Sequence, residues 1–273
     1  MRRIDIIEVL EKRGYKAFKT ETTKNGVTFK GIRIDNGVIS PVIYTEKMIA
    51  KALENGLSVE DVATEVIEIF EENKKCNIDI ATIFDKDFVL SHIYIGIQKE
   101  SNENIEKGIC DYEGLETYLY IKVSEQKDGN ATIKVSSDLL ARIGISSADA
   151  WECAEDNSNR DTVIESMAKI IAEMMGVDYV PSMDNSTPMY IISNKSKLRG
   201  ASAILDHDAL TCFAEEKGVN KLVVLPSSIH EMIILPYEEN MDISELNEMV
   251  KEVNATQVEP EERLTDRAYI IEI

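Results

Sequence analysis

Lys221-Leu-Val-Val-Leu225-Pro-Ser-Ser-Ile-His230-Glu-Met-Ile-Ile-Leu-Pro236 is the stretch that decides how this chain is read. Two short apolar runs, Lys221 to Leu225 and Glu231 to Pro236, flank Pro226-Ser227-Ser228. Runs this short, rich in Val, Ile and Leu and bounded by proline and serine, read as strands. Proline followed by two serines reads as a tight reversal. Strands joined by a tight reversal pair antiparallel, because a parallel crossover needs a dozen or more residues. Just upstream, His207 to Lys217 reads as a helix, capped by Asp206 and stopped by Gly218. Met189 to Ser193 reads as a strand, and Ala201 to Leu205 as another. Downstream come a helix over Ile243 to Val253 and a last strand over Ala268 to Ile273.

The rest of the chain carries the same mixture. Arg3 to Gly14 places Ile4, Ile7 and Leu10 on one helical face. Tyr15 to Lys19 and Val27 to Ile34 read as strands joined at Lys24-Asn25-Gly26. Val38 to Tyr44 follows as a strand after Asn36-Gly37, with Pro41 marking an edge or bulge. Glu46 to Glu54 reads as a helix stopped by Asn55-Gly56. Ser58, with Asp61 three residues on, opens a helix to about Lys75 as a capping box. Within Ile78 to Ile97 a short helix over Asp85 to Leu90 precedes a strand.

Leu115 to Val123 is a strand, turned at Asp128-Gly129-Asn130 onto Ala131 to Val135. Ser137 and Ser147 are expected to cap helices over Asp138 to Ile143 and Ala148 to Ala154. Arg160 to Met175 reads as an amphipathic helix ended by Gly176, and Tyr179 to Pro188 as turn-rich. Helices and strands without regular βαβα alternation predict an α+β fold, with mixed or antiparallel sheets flanked by helices. A soft boundary divides an N-terminal subdomain, 1–105, from a C-terminal one, 106–273; one compact unit is the alternative.

Charge narrows the function classes. The 273 residues hold 50 Asp or Glu against 30 Lys or Arg, a formal net charge of −20. Phosphate backbones are held by clustered Lys and Arg, so direct nucleic-acid backbone binding is not expected. An anionic membrane surface would repel the chain, and the apolar runs fall short of the roughly 20 residues that span a bilayer. The excess is local. Glu238 to Glu262 carries nine acidic residues and one basic one, and Ser147 to Met175 seven and two. Solvated helix faces account for this; a surface that meets a basic partner is the sharper reading. Cys76, Cys110, Cys153 and Cys212 form no CxxC pair, which points to structural thiols in a cytoplasmic protein.

Serine, histidine and a carboxylate are the parts of an acyl-transfer site, and Ser227-Ser228-Ile229-His230-Glu231 holds them together as a candidate catalytic or binding stretch, with Ser228 and His230 the catalytic candidates and Ser227 a binding one. No GxSxG elbow surrounds the serine, and Ser227 and Ser228 also suit backbone hydrogen bonds in a turn. Asp206-His207-Asp208 has metal-ligand types, yet Asp206 suits an N-cap and Asp208 the first helical turn. His92 sits in an apolar stretch with no partner in view. Asn254-Ala255-Thr256-Gln257 is polar without charge. Asn254, Thr256 and Gln257 could bond a ligand, or form a C-cap turn with Asn254 left-handed. No P-loop, GxGxxG, HExxH or EF-hand pattern is present, so no cofactor and no metal is expected.

Several stretches together resemble a known family. They are Gly31-Ile32 with Pro41 to Tyr44, the Ser58 helix ending in Ile69-Phe70, and Leu139-Leu140 with Ile143 to Ser146. Met189 to Lys195, Leu225 to Glu231, Val250 to Gln257, Pro260 to Glu262 and Leu264 to Asp266 complete the set. They are similar to an uncharacterised bacterial family, a domain of unknown function met in anaerobic gut bacteria, often near mobile-element genes. The resemblance implies a cytoplasmic bacterial protein and brings no activity, cofactor or catalytic residue. The expectation is a non-enzymatic interaction or regulatory protein with a protein partner. The alternatives are a hydrolase-like enzyme using Ser228 and His230, and a small-ligand sensor.

Overall fold

A computed structural model describes residues 1–35, 42–73, 80–126, 129–185 and 188–273. Asn36-Gly37, Pro41, Lys75, Cys76 and Asp128 lie outside the described residues. The fold is α+β, and each of its three sheets is antiparallel among those residues. The chain forms two compact units, Met1–Ile80 and Ala81–Ile273. The expected division at 105/106 falls inside a sheet of the second unit, where strands on either side of it pair.

In the first unit, α1 (Arg3–Lys12) leads into the hairpin of β1 (Ala17–Lys24) and β2 (Val27–Ile34), then β3 (Val42–Tyr44), α2 (Glu46–Glu54) and α3 (Val59–Asn73). The hairpin turns on Asn25 and Gly26, both at positive φ, the geometry that an Asn-Gly pair supplies. The box at Ser58 forms as expected: Asp61 takes the Ser58 N–H at 2.9 Å and its hydroxyl at 2.7 Å. Ile6, Leu10, Ile32, Ile34, Val66 and Phe70 close the core.

After the short α4 (Ile80–Ile83), α5 (Lys86–His92) of the second unit is capped by Asp85, which accepts the Phe88 N–H at 2.8 Å. It leads into β4 (Ile93–Lys99), which pairs with β6 (Leu115–Gln126). β5 (Lys107–Gly108) and β7 (Gly129–Lys134) also pair with β6. Ile93, Ile95, Leu119 and Ile121 pack with Leu140 of α6 (Ser137–Ile143) and Ala150 and Ala154 of α7 (Ser147–Asp161). The alternate positions Gln98, Glu116, Tyr118, Tyr120 and Lys122 are buried as well. The helix caps sit one residue earlier than expected, at Ser136 and Ser146.

The second sheet of this unit runs β12-β10-β11-β9-β8. Its strands are β8 (Thr162–Ser166), β9 (Tyr190–Asn194), β10 (Lys221–Ser228), β11 (Glu231–Pro236) and β12 (Tyr269–Glu272). α9 (His207–Lys217) packs Leu210, Phe213 and Ala214 on one face, and α10 (Ile243–Gln257) packs Val250 on the other.

Three expectations are corrected here. Arg160 to Met175 is not one helix. α7 ends at Asp161, Thr162-Val163-Ile164 pairs with β9, and α8 (Met167–Met175) starts anew with Ser166 accepting the Lys169 N–H at 3.1 Å. The β-branched run favours strand once an edge is there to receive it. Ala201 to Leu205 is a buried 3-10 turn rather than a strand. The reversal near Ser228 is Ile229-His230: β10 continues through Pro226, with Ser227 as the extra residue of a bulge. Pro226 fits there because β12 pairs only as far as Val224, so no ladder on that side needs its missing N–H.

Candidate functional site

His230 is held from every side. The Arg199 backbone N–H donates to its Nδ1 at 3.1 Å. An accepting Nδ1 places the ring proton on Nε2, which then donates to Glu262 Oε1 at 3.3 Å. The His230 carbonyl accepts from the Ser193 hydroxyl at 2.8 Å, and its N–H donates to Ser228 Oγ at 3.1 Å. Ile229 N–H donates to the Glu262 carbonyl at 2.8 Å. Ser228 is therefore buried against the backbone of His230, while the ring's basic nitrogen serves Arg199. A general base needs a nitrogen free to take the nucleophile's proton, and neither ring nitrogen is free here.

The segment that supplies the Arg199 N–H is tightly built. Lys197 and Arg199 both adopt positive φ. Asn194 steadies them by accepting the Leu198 N–H and donating to the Leu198 carbonyl. Gly200 follows where a Cβ would stand 2.3 Å from Ser193 Oγ and 2.8 Å from the His230 carbonyl, so only glycine fits. The Arg199 guanidinium donates to the Tyr118 hydroxyl at 2.7 Å. Burial pushes the Tyr118 hydroxyl above the usual tyrosine range, against the pull of Arg199.

A second polar group lies at the β8 edge of the same sheet, around Asp184. Its Oδ1 accepts from Ser166 at 2.6 Å and Tyr179 at 3.0 Å, and its Oδ2 from Tyr190 at 3.2 Å. Burial opposes the charge, but the three hydroxyls and the positive charge of Lys217 outweigh it and hold the carboxyl below the usual aspartate range. Here the chain leaves an open cleft of about 400 Å³. β8 contributes Thr162, Ile164 and Ser166, and β9 contributes Tyr190. Cys212, Phe213, Glu216 and Lys217 come from α9. Lys217 Nζ lies 4.6 Å above the Tyr190 ring and pairs with the exposed Glu216 at 2.8 Å.

The remaining candidates lie apart from these groups. Asp206 caps α9 by accepting the Ala209 N–H at 3.0 Å, and His207 opens that helix. His92 stacks on Phe88 at 4.0 Å. Asn254, Thr256 and Gln257 belong to the last turn of α10 and do not form the expected left-handed C-cap turn. Asn254 is buried and donates to the Thr265 carbonyl and to Asp266 Oδ1 at 2.7 Å, tying down the segment that leads to β12. Thr256 bonds back to the Glu252 carbonyl within the helix. Among the described residues, no three His, Cys, Asp or Glu side chains are grouped as metal ligands, and no helix is long and apolar enough to cross a membrane.

A third feature adjoins the cleft. The inward residues of α8 are Ala168 and Ala172. Its larger apolar side chains Ile171, Met174 and Met175 point outward, and Val177 and Val180 continue the run; Met174 is 82% and Met175 72% exposed.

Comparison with known families finds a match over residues 5–272 to a family of unknown function (DUF5688). The chain belongs to that family. No curated protein and no solved structure matches the chain. The DUF5688 match takes in both compact units, so the histidine cluster and the Asp184 cleft both lie within family sequence. Sequence reasoning missed Arg199, Ser193 and Glu262, and also Ser166, Tyr179, Asp184, Tyr190 and Lys217. The visible signals were Ser166 as a cap ahead of an apolar run and the Arg199-Gly200 pair.

Proposed function

We propose that this DUF5688 protein is a non-enzymatic interaction protein that docks a basic, amphipathic segment of a protein partner on the outer face of α8. One observation carries the reading: a contiguous apolar run, Ile171, Met174, Met175, Val177 and Val180, faces solvent. Exposed apolar patches on folded proteins mark interaction sites more often than chance, and methionine adapts to a partner's shape. Complementarity selects a basic segment, because Glu173 and Asp178 interrupt the run and the whole chain carries −20. A helix with apolar anchors three and four residues apart and lysines between them matches such a face.

The reading sets the protein in the cytoplasm, where Cys110, Cys153 and Cys212 would remain the free thiols they are here. It extends to the setting the family resemblance implies, with a partner encoded by a mobile element of a gut bacterium. It assigns no nucleic-acid backbone and no membrane to the surface.

The test is calorimetric titration with a synthetic Leu/Lys amphipathic helix and with its Leu/Glu counterpart. Binding of the basic peptide alone, weakened at least ten-fold by Met174→Glu/Met175→Glu, supports the proposal. Equal binding of both peptides, or unchanged binding by the variant, overturns it.

A further inference from the structure

The Asp184 cleft has the layout of a ligand site that the partner surface does not use. We infer that it binds a small zwitterion of the α-amino-acid class with an apolar side chain, the ammonium on Asp184 and the carboxylate on Lys217.

Counting acceptor positions carries the first half. An ionised carboxylate offers about four lone-pair positions. Asp184 uses three of them, on Ser166, Tyr179 and Tyr190, with two on Oδ1 and one on Oδ2. The remaining position on Oδ2 can take one more hydrogen. The three donors are neutral hydroxyls, and Lys217 acts on the carboxylate through its charge without a hydrogen bond to it, so a ligand ammonium can fill the open acceptor position.

Lys217 carries the second half. Its ammonium is held above the usual lysine range, burial working against the charge and Glu216 and Tyr190 outweighing it. Its salt-bridge partner, Glu216, is 70% exposed. The Lys217 end of the pair is 22% exposed, so solvent weakens the bond mainly from the Glu216 side. A ligand carboxylate can therefore replace Glu216 at little cost. The two opposite charges are joined by an apolar wall of Ile164 and Phe213, which suits an aliphatic or aromatic side chain. A volume of about 400 Å³ accommodates one amino acid and excludes a folded partner.

The test is titration of the full chain with leucine, isoleucine and phenylalanine, alongside leucinamide (ammonium only) and N-acetylleucine (carboxylate only). At least one free amino acid is expected to bind and raise the melting temperature. The two half-ligands are expected to bind at least ten-fold more weakly. Asp184→Asn and Lys217→Met should each raise Kd at least ten-fold, and Ile164→Trp, which fills the cleft without touching its charges, should abolish binding. If Asp184→Asn does not fold, the other two variants decide. No response to leucine, isoleucine or phenylalanine at millimolar concentration overturns the inference, as does equal binding by the half-ligands or by the variants. Met174→Glu/Met175→Glu should keep amino-acid binding while losing the basic peptide, so this inference and the proposed function fail separately.

Discussion

His230 lies in a turn between two strands of a sheet and Asp184 in a 3-10 turn bonded to two other strands of it, and each gathers serine and other polar partners, yet they are opposites. His230 has both ring nitrogens, its N–H and its carbonyl engaged by the chain. Asp184 has three hydroxyl partners and an acceptor position left, beside an open cleft. Reactive side-chain types in a short stretch thus say little about chemistry; what matters is whether an atom is left over. A saturated histidine is a fastener. An unsaturated carboxylate at a cleft has an acceptor position open to a ligand.

The comparison can be broken hardest at Gly200. Gly200→Ala places a methyl group 2.5 Å from the Asn194 backbone nitrogen and 2.8 Å from the His230 carbonyl, where backbone cannot yield. Denaturant unfolding should show a loss of about 3 kcal/mol. His230→Ala comes next. It strands the Arg199 N–H and takes the ring partner from Glu262, and should cost about 2 kcal/mol by the same measurement. In the parent protein a fluorophosphonate probe should leave Ser228 unlabelled; labelling abolished by Ser228→Ala would turn the fastener back into a catalytic pair.

Smaller effects sharpen the Asp184 side. Ser166→Ala removes both the α8 cap and one Asp184 donor, and should cost about 1 kcal/mol. The pH dependence has a definite sign. Asp184 is more acidic folded than unfolded, so its hydrogen bonds contribute fully above the ordinary aspartate pKa of about 3.9 and are lost as pH falls through the lower folded value. The melting-temperature gap between parent and Asp184→Asn should stay constant above about pH 5 and close below it. Smallest of all, Met174→Glu/Met175→Glu should change stability by no more than about 0.5 kcal/mol, because these side chains are mostly exposed.

Local chemistry explains what could be read from the sequence. Asp206, Gly218, Ser58 with Asp61, and Asn25-Gly26 act within a few residues of themselves, and each ends or turns the chain where expected. Thr162 to Ser166 escaped because a helical period runs through it, and only the β9 edge, distant in sequence, makes it a strand. The sites escaped for the same reason. The partners of His230 lie 31, 37 and 32 residues from it, at Arg199, Ser193 and Glu262. Tyr118 and Tyr120 read as ordinary strand residues, since nothing local announces that Arg199, 81 positions beyond Tyr118, will meet both.

That reach of Arg199 has a mechanical meaning. Its backbone grips the β10–β11 turn through His230, while its side chain grips β6 through Tyr118. Opening either sheet at this point breaks a hydrogen bond to the same residue. The two sheets therefore share a clutch, and their amide protons should exchange with solvent as one cooperative block rather than as two.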